Sequence, residues 1–362
     1  MLPDLDALEA SLLNKSGNVK LDARFRTLFT LKGLASLSED RMERVIDIIS
    51  KGFDDDSALL KHEMAYVLGQ LKDTRALACL NRILSDEKEH AMVRHEAAEA
   101  MGAISSPEAL PVLNTYLHDP DVSVRETCHL AINKIELDNS STGKEEQALK
   151  EQRDKAHGDA IDAAARAAAP IDPAPAIVRV PDSKDEENVY TLKNVARFRD
   201  TLLDTNLSLF DRYRAMFALR NTVQQGGKDA EAPAVLALAD GLRDGSALFR
   251  HEICFVFGEL CHPVSVPAMT KVLNDVQEHE MVRHEAAEAL GGVVEEADDD
   301  AAHAQAIETL KRWADDAQAP RVVRESCVVA LDEMACTWGA DADNNDPTQF
   351  QPMDSVQAEG SE

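Results

Sequence analysis

The chain has 362 residues, with 38 Lys plus Arg against 66 Asp plus Glu for a formal net charge of -28, 44% hydrophobic residues and 4% aromatics. An ordinary apolar fraction at this length excludes global disorder and provides for a sizeable core. So acidic a chain repels phosphate backbones and anionic headgroups, which excludes nucleic acid or a membrane surface as principal partner and favours a basic one.

No apolar run approaches the ~18 to 20 residues of a membrane span. Asp4, Asp6 and Glu9 stand where a secretory signal would be basic and then apolar, so a soluble intracellular protein is expected. Six cysteines (Cys79, Cys128, Cys254, Cys261, Cys327 and Cys336) lie in apolar stretches without C-x-x-C spacing, which reads as buried reduced thiols.

In chain order, Arg24 to Leu31 (RFRTLFTL) opens a first helical unit. Ser57 to Glu63 (SALLKHE) opens a second, and Met92 to Gly102 (MVRHEAAEAMG) a third. Between them Leu77, Leu80 and Leu84 fall at i, i+3 and i+7, as do Leu110, Leu113 and Leu117, the spacing of a helix that buries one stripe. Asp73 with Thr74, and Ser106 with Pro107, supply start signals for those helices. A fourth unit carries Val124 to Cys128 (VRETC).

The same units then return. Arg212 to Leu219 (RYRAMFAL), Ser246 to Glu252 (SALFRHE), Met281 to Gly291 (MVRHEAAEALG) and Val323 to Cys327 (VRESC) repeat them in order, with ten of eleven positions identical in the longest match. His62 and His95 are 33 residues apart, as are His251 and His284, a period expected of a helix-turn-helix solenoid. The expected fold is therefore all-α, an α-α superhelix of two duplicated halves with about four helical pairs each. The halves are expected over residues 1–137 and 189–338, joined by a flexible linker over 138–188 with a short helix around Ile161 to Ala169 and followed by a disordered acidic tail over 339–362. An insertion after Gly292, Val293 to Ala306, is expected as a surface loop. Without linker and tail the repeat bodies keep a charge of about -17, so most of the acidity belongs to the folded part.

Histidine is followed by glutamate at His62-Glu63, His95-Glu96, His251-Glu252 and His284-Glu285, each at the equivalent place in a repeat. One such pair on a helix is ordinarily a surface feature. Packing logic fixes apolar positions in a repeat and has no use for four His-Glu pairs, since buried carboxylates without partners are costly. The outermost units keep the repeat and drop the pair, an arginine appearing to take the histidine's place in the first unit of each half. His279-Glu280 is matched by His90-Ala91 in the first half and so fails the duplication test. Glycine follows each of the four histidines after seven residues (Gly69, Gly102, Gly258, Gly291), at a cost of ~1 kcal/mol each in a helix, which calls for close helix packing. Imidazoles with carboxylates and no thiolate suit iron or manganese, and two histidines plus one carboxylate per metal in each half make a dinuclear centre. The i, i+4 histidine pair of zinc hydrolases is absent.

With four H-E motifs, two in each half and each followed by glycine at the same offset, the sequence from Leu21 to Met334 resembles the deoxyhypusine hydroxylase family of HEAT-like repeat proteins. The resemblance implies a non-haem di-iron monooxygenase that hydroxylates the deoxyhypusine side chain of eukaryotic translation initiation factor five A, forming hypusine, with O2 as co-substrate, two Fe2+ ions and an external reductant. By motif position His62, His95, Glu96, His251, His284 and Glu285 would bind metal. Glu63 and Glu252 would accept the cationic amines of the substrate or touch the metals. Met92 and Met281, three residues before a histidine, would line the channel for the aliphatic part, with ordinary core methionine the competing role. A monomer in cytoplasm and nucleus is expected. The alternatives are a non-catalytic repeat scaffold holding a basic protein, and a bilin-lyase-like repeat protein.

Overall fold

The structure is a computed structural model that describes residues 3–157, 170–180, 188–296 and 300–337. Among these residues are seventeen α-helices and no strand. The first half pairs α1 (Leu5–Leu12) with α2 (Leu21–Ala35), α3 (Glu39–Ser50) with α4 (Ala58–Gln70), α5 (Leu77–Ser85) with α6 (Ala91–Ile104) and α7 (Leu110–Thr115) with α8 (Val122–Asn139). After α9 (Ser141–His157), the second half pairs α10 (Leu192–Leu203) with α11 (Leu209–Gln225) and α12 (Lys228–Asp240) with α13 (Ala247–Leu260). It ends with α14 (Val266–Asn274) beside α15 (Glu280–Glu296) and α16 (Asp300–Asp315) beside α17 (Arg321–Thr337). These are the two sets of four helical pairs that the duplication predicts, stacked as an all-α superhelix.

Outer and inner helices differ as their surroundings require. Outer α3 buries one stripe, Val45, Ile46, Ile48 and Ile49, and keeps Glu39, Asp40 and Glu43 in solvent. Inner α4 is enclosed by its own layer and by the opposite half, so Leu59, Leu60, His62, Glu63, Met64, Ala65, Val67 and Leu68 are all buried. The predicted start signals act one step earlier than expected: Asp73 and Ser106 cap short 3-10 turns, Thr74–Ala76 and Pro107–Ala109, which lead into α5 and α7.

Successive inner helices pack directly on one another. A Cβ placed on Gly69 would stand 2.7 Å from the Ala100 Cα, and one on Gly102 would stand 3.0 Å from the Ala131 Cα, so backbone meets backbone and no side chain fits. Arg24 shares the register of Arg94 rather than of His95. Its Nε donates to the Leu12 carbonyl at 2.8 Å, just as Arg94 Nε donates to the Leu84 carbonyl at 3.0 Å. The arginine of the flanking units therefore ties an inner helix to the outer helix before it, and does not replace the histidine.

The halves face each other about a pseudo-two-fold axis. Ser57 Oγ at the start of α4 donates to Glu325 at 2.7 Å, and the equivalent Ser246 Oγ at the start of α13 donates to Glu126 at 2.6 Å. Between α6 and α15, His90 and Glu280 pair at 3.2 Å. Each contact joins the amino-terminal ends of two inner helices, so the inner helices of both halves begin at one end of the molecule and run along the axis.

Two segments differ from the expected loops. Residues 141–157 of the linker form α9, and residues 170–180 run extended across both halves. The Ile171 amide donates to Gln70 Oε1 of α4 at 3.2 Å, and Ile177 N donates to the Arg214 carbonyl of α11 at 3.1 Å. The insertion expected as a loop over 293–306 is helical in its described residues, 293–296 and 300–306, because its alanines and acidic residues extend α15 and open α16. The expected helix at Ile161 to Ala169 and the tail over 339–362 lie outside the described residues, as do the remaining linker residues 158–160 and 181–187. No helix among the described residues is long and apolar enough to cross a membrane. The five cysteines described form no disulfide.

Candidate metal centre

Helix register builds the centre. His62, His95, His251 and His284 lie in the second turns of α4, α6, α13 and α15, and parallel packing about the axis brings these turns to one level. The ring centroids of His62 lie 5.4 Å from His95, 6.0 Å from His251 and 5.2 Å from His284. His251 lies 5.5 Å from His95 and 5.3 Å from His284. All four rings are buried, and so are Glu63, Glu96, Glu252 and Glu285.

The carboxylates interleave with the rings in the same symmetry. Glu96 Oε2 approaches His62 Nε2 to 3.2 Å, and its counterpart Glu285 Oε2 approaches His251 Nε2 to 3.2 Å. Glu285 also lies 3.9 Å from His284, and Glu63 lies 3.4 Å from His62 Nδ1. None of these contacts has hydrogen-bond geometry. All eight imidazole nitrogens are buried without a hydrogen-bond partner, as are Glu252 Oε1 and Glu99 Oε2.

Buried imidazole nitrogens without hydrogen-bond partners, in this number, are the donor set of a cation site. His62, His95 and Glu96 each offer an atom within 4.8 Å of the others, as do His62, His251 and His284, and His284, Glu285 and Glu288. The donor set is nitrogen and carboxylate oxygen without thiolate, which fits iron or manganese. The eight residues singled out in the sequence thus meet at one place. Met92 and Met281 are also buried, on the helix-start side of the histidines, as core residues.

Electrostatics point the same way. Burial, and then the neighbouring His62, hold His95 and His284 well below the ordinary histidine value and bring His251 to about 3. His62 is the exception: burial opposes its charge, yet Glu96 and Glu63 lift it well above the ordinary value. Burial raises Glu63, Glu252 and Glu285, reinforced by Glu288 for Glu63 and Glu285 and by Glu99 for Glu252, while His62 opposes the rise of Glu63. A cluster of carboxylates that resists ionisation when alone is relieved by a multivalent cation.

Sequence reasoning missed part of the site. Glu99 and Glu288 sit one turn after His95 and His284, and burial raises both carboxylates. His284 Nδ1 lies 3.5 Å from Glu288 Oε1, and Glu288 accepts from Ser326 Oγ at 2.9 Å. Their signal was legible, because H-E-A-A-E repeats whole in both halves and sets the second glutamate on the histidine's face at i+4. Beyond them the symmetry breaks. Lys32 lies 5.6 Å from the Tyr66 ring centroid and feels Glu63, whereas its counterpart Arg220 is gripped by Asp172 at 2.5 and 2.7 Å and by Glu259 at 3.1 Å. Asp172 comes from the extended 170–180 strap, which no repeat pattern reveals.

The HEAT repeats family matches residues 43–133, 89–170 and 235–332. The chain is 59% identical to the deoxyhypusine hydroxylase of Mycosarcoma maydis over 97% of this chain and 98% of that protein. It is 44% identical to the one of Cryptococcus neoformans, over 98% and 89%. The solved structure of human deoxyhypusine hydroxylase in complex with glycerol superposes with a TM-score of 0.70 at 42% identity, covering 91% of this chain and 95% of that one. The duplicated fold, the converging His-Glu pairs and these likenesses together show that the chain belongs to the deoxyhypusine hydroxylase family.

Proposed function

We propose that the chain is a non-haem di-iron monooxygenase that hydroxylates the deoxyhypusine side chain of translation initiation factor five A. The observation that carries this reading is the convergence of four buried His-Glu pairs whose eight ring nitrogens have no hydrogen-bond partner. His62, His95 and Glu96 would hold one iron, and His251, His284 and Glu285 the other. The chemistry such a pair supplies when bound is reductive activation of O2, with electrons from an external donor.

The chain's own residues do the rest. Three histidines held neutral by burial stay available as ligands, and the burial of all four rings and their glutamates keeps water from the reacting carbon. Glu63 and Glu252, one in each half and each following a histidine, anchor the cationic amines and set the target carbon beside the metals. The unused carboxylates Glu99 and Glu288 reinforce the field for a cation.

Purified chain loaded with ferrous iron is expected to carry about two irons and, with O2 and reductant, to add one oxygen atom to the deoxyhypusine residue of the factor, read by mass spectrometry. A folded chain that takes up no iron, or that loads iron and leaves the residue unchanged, sinks the reading.

A further inference from the structure

The pseudo-two-fold axis runs through the histidine layer and leaves the molecule at two ends, which are built differently. At the carboxy-terminal end of the inner helices, Tyr66 and Phe255 stack edge to face at 6.2 Å across the axis. Beyond them the 170–180 strap crosses from Gln70 to Arg220, and Asp172, Arg220 and Glu259 form a buried ion cluster. Pro173 of the strap is buried and lies with Glu99 and Gly102 around a common crevice. This end is sealed.

At the amino-terminal end, besides the Ser57–Glu325 and Ser246–Glu126 hydrogen bonds, the halves meet in one half-exposed, exchangeable contact. His90 and Glu280 meet across the axis at 3.2 Å with their side chains 40% and 35% exposed. On either side, Lys61 with Glu89 and Arg250 with Glu278 are ion pairs internal to each half. The duplication is broken here, for the first half has Ala91 where the second has Glu280. Glu280 thus stands at the mouth with a histidine as its partner.

The interior between the ends is graded. Five residues of helix separate His90 from His95, a rise of about 7.5 Å, and Met92 and Met281 lie buried in that stretch. Glu99, Glu252, Glu63 and Glu288 lie at or beyond the histidine layer, toward the sealed end. A lysine-derived chain with a terminal ammonium matches this order: apolar methylenes beside the methionines, the reacting carbon at the metals, the ammonium among the carboxylates.

We infer that the deoxyhypusine side chain enters along the axis from the amino-terminal end of the inner helices, with Glu280 receiving the incoming ammonium in place of His90 while the strap keeps the opposite end shut. Glu280 and His90 are positioning residues of the entrance and touch neither metal nor reacting carbon. This inference rests on the proposed function and fixes the direction of approach.

The two partners act with opposite sign. In iron-loaded chain, Glu280→Ala is expected to raise KM for the deoxyhypusine-bearing protein about fivefold, the scale of a half-exposed charge contact, with kcat and iron content unchanged. His90→Ser keeps a helix cap and removes the competing partner of Glu280, so its KM should fall. A fold-stabilising role for the pair would move both variants the same way. In a second arm, His90→Cys carrying a bulky maleimide should lose binding of the protein substrate and keep its iron, whereas Gln70→Cys should be unreactive or modified without loss of binding.

Unchanged KM in Glu280→Ala, or blockage by a label at position 70 and none at position 90, overturns the inference. Wild-type chain that fails to hydroxylate the protein overturns the functional reading itself, a result distinct from either.

Discussion

Ser57 of the first half donates its hydroxyl to Glu325 of the second at 2.7 Å and at the same time accepts the Leu60 amide as the cap of α4. The reciprocal pair, Ser246 with Glu126, repeats both roles at the start of α13. One hydroxyl thus starts an inner helix and docks the opposite half. Ser57→Ala removes a cap worth ~1 kcal/mol and a hydrogen bond to a charged group worth roughly 1.5–3 kcal/mol. A loss of about 2–4 kcal/mol is expected from denaturant unfolding. Glu325→Ala should be non-additive with it, and additive behaviour of the pair would show that the cross-half bond contributes nothing.

Gly69 faces the Ala100 backbone with no room for a methyl group. Gly69→Ala therefore forces α4 and α6 apart, and overpacking of this kind costs about 1–3 kcal/mol against a gain of at most ~1 kcal/mol in helix propensity. Because His62 and His95 sit on those two helices, the variant should lose iron affinity as well as melting temperature. Wild-type iron content with a raised melting temperature would contradict this.

Much of this could be read from the sequence, for a definite reason. A duplication exposes whatever both copies must keep, and the copies keep His-Glu pairs, glycines at one offset and the H-E-A-A-E run. The period therefore gave the helical pairs, their register and the eight converging side chains. Elements that occur once have no second copy to reveal them. Asp172 lies in a stretch of Pro and Ala that reads as linker, and its partners Arg220 and Glu259 stand opposite Lys32 and Gln70 in the other half. His279-Glu280 fails the duplication test because the first half has His90-Ala91 there, and that difference is what gives His90 a carboxylate to meet across the axis, Glu280.

Arg220 neutralises Asp172 and Glu259 in a buried cluster near Glu252 and Glu99. Arg220→Met leaves two carboxylates unpaired there, and breaking a buried network from one side costs about 3–5 kcal/mol. Asp172→Asn should cost less, since Glu259 still answers the guanidinium. The strap of the Arg220→Met chain is expected to become sensitive to limited proteolysis, and a cleavage pattern identical to wild type would show that the ion cluster does not hold it down.

Metal loading should be coupled to proton release. In the metal-free site His62 holds its proton well above the ordinary histidine value, because Glu96 and Glu63 outweigh burial, and burial raises Glu63, Glu252 and Glu285. Each of these groups binds protons more tightly than an unperturbed one, so protons compete with metal and apparent affinity should rise with pH through the neutral range. His95, His284 and His251 lie below the ordinary value and add no such competition there. Titration calorimetry in two buffers of different ionisation enthalpy measures the released protons directly. Heats independent of buffer would refute the assignment of a proton to the His62 and carboxylate cluster.

Eight side chains converge, whereas two sites of two histidines and one carboxylate employ six, and the division of labour among the glutamates follows from where each lies. Glu96 and Glu285 reach across to a histidine of the neighbouring inner helix at 3.2 Å, bridging two ligand-bearing elements. Glu252 makes no such approach and leaves Oε1 buried without a partner, beside Glu99. Glu63 contacts the His62 that precedes it and faces Glu288. Glu252→Ala and Glu63→Ala are therefore expected to retain about two irons and to lose at least tenfold in affinity for the deoxyhypusine-bearing protein, since under the proposed function each removes a carboxylate that would hold a substrate ammonium. Glu96→Ala and Glu285→Ala should lose iron instead. Iron content measured on all four variants at equal folded fraction separates the roles, and loss of iron from Glu252→Ala would reassign that carboxylate to the metals.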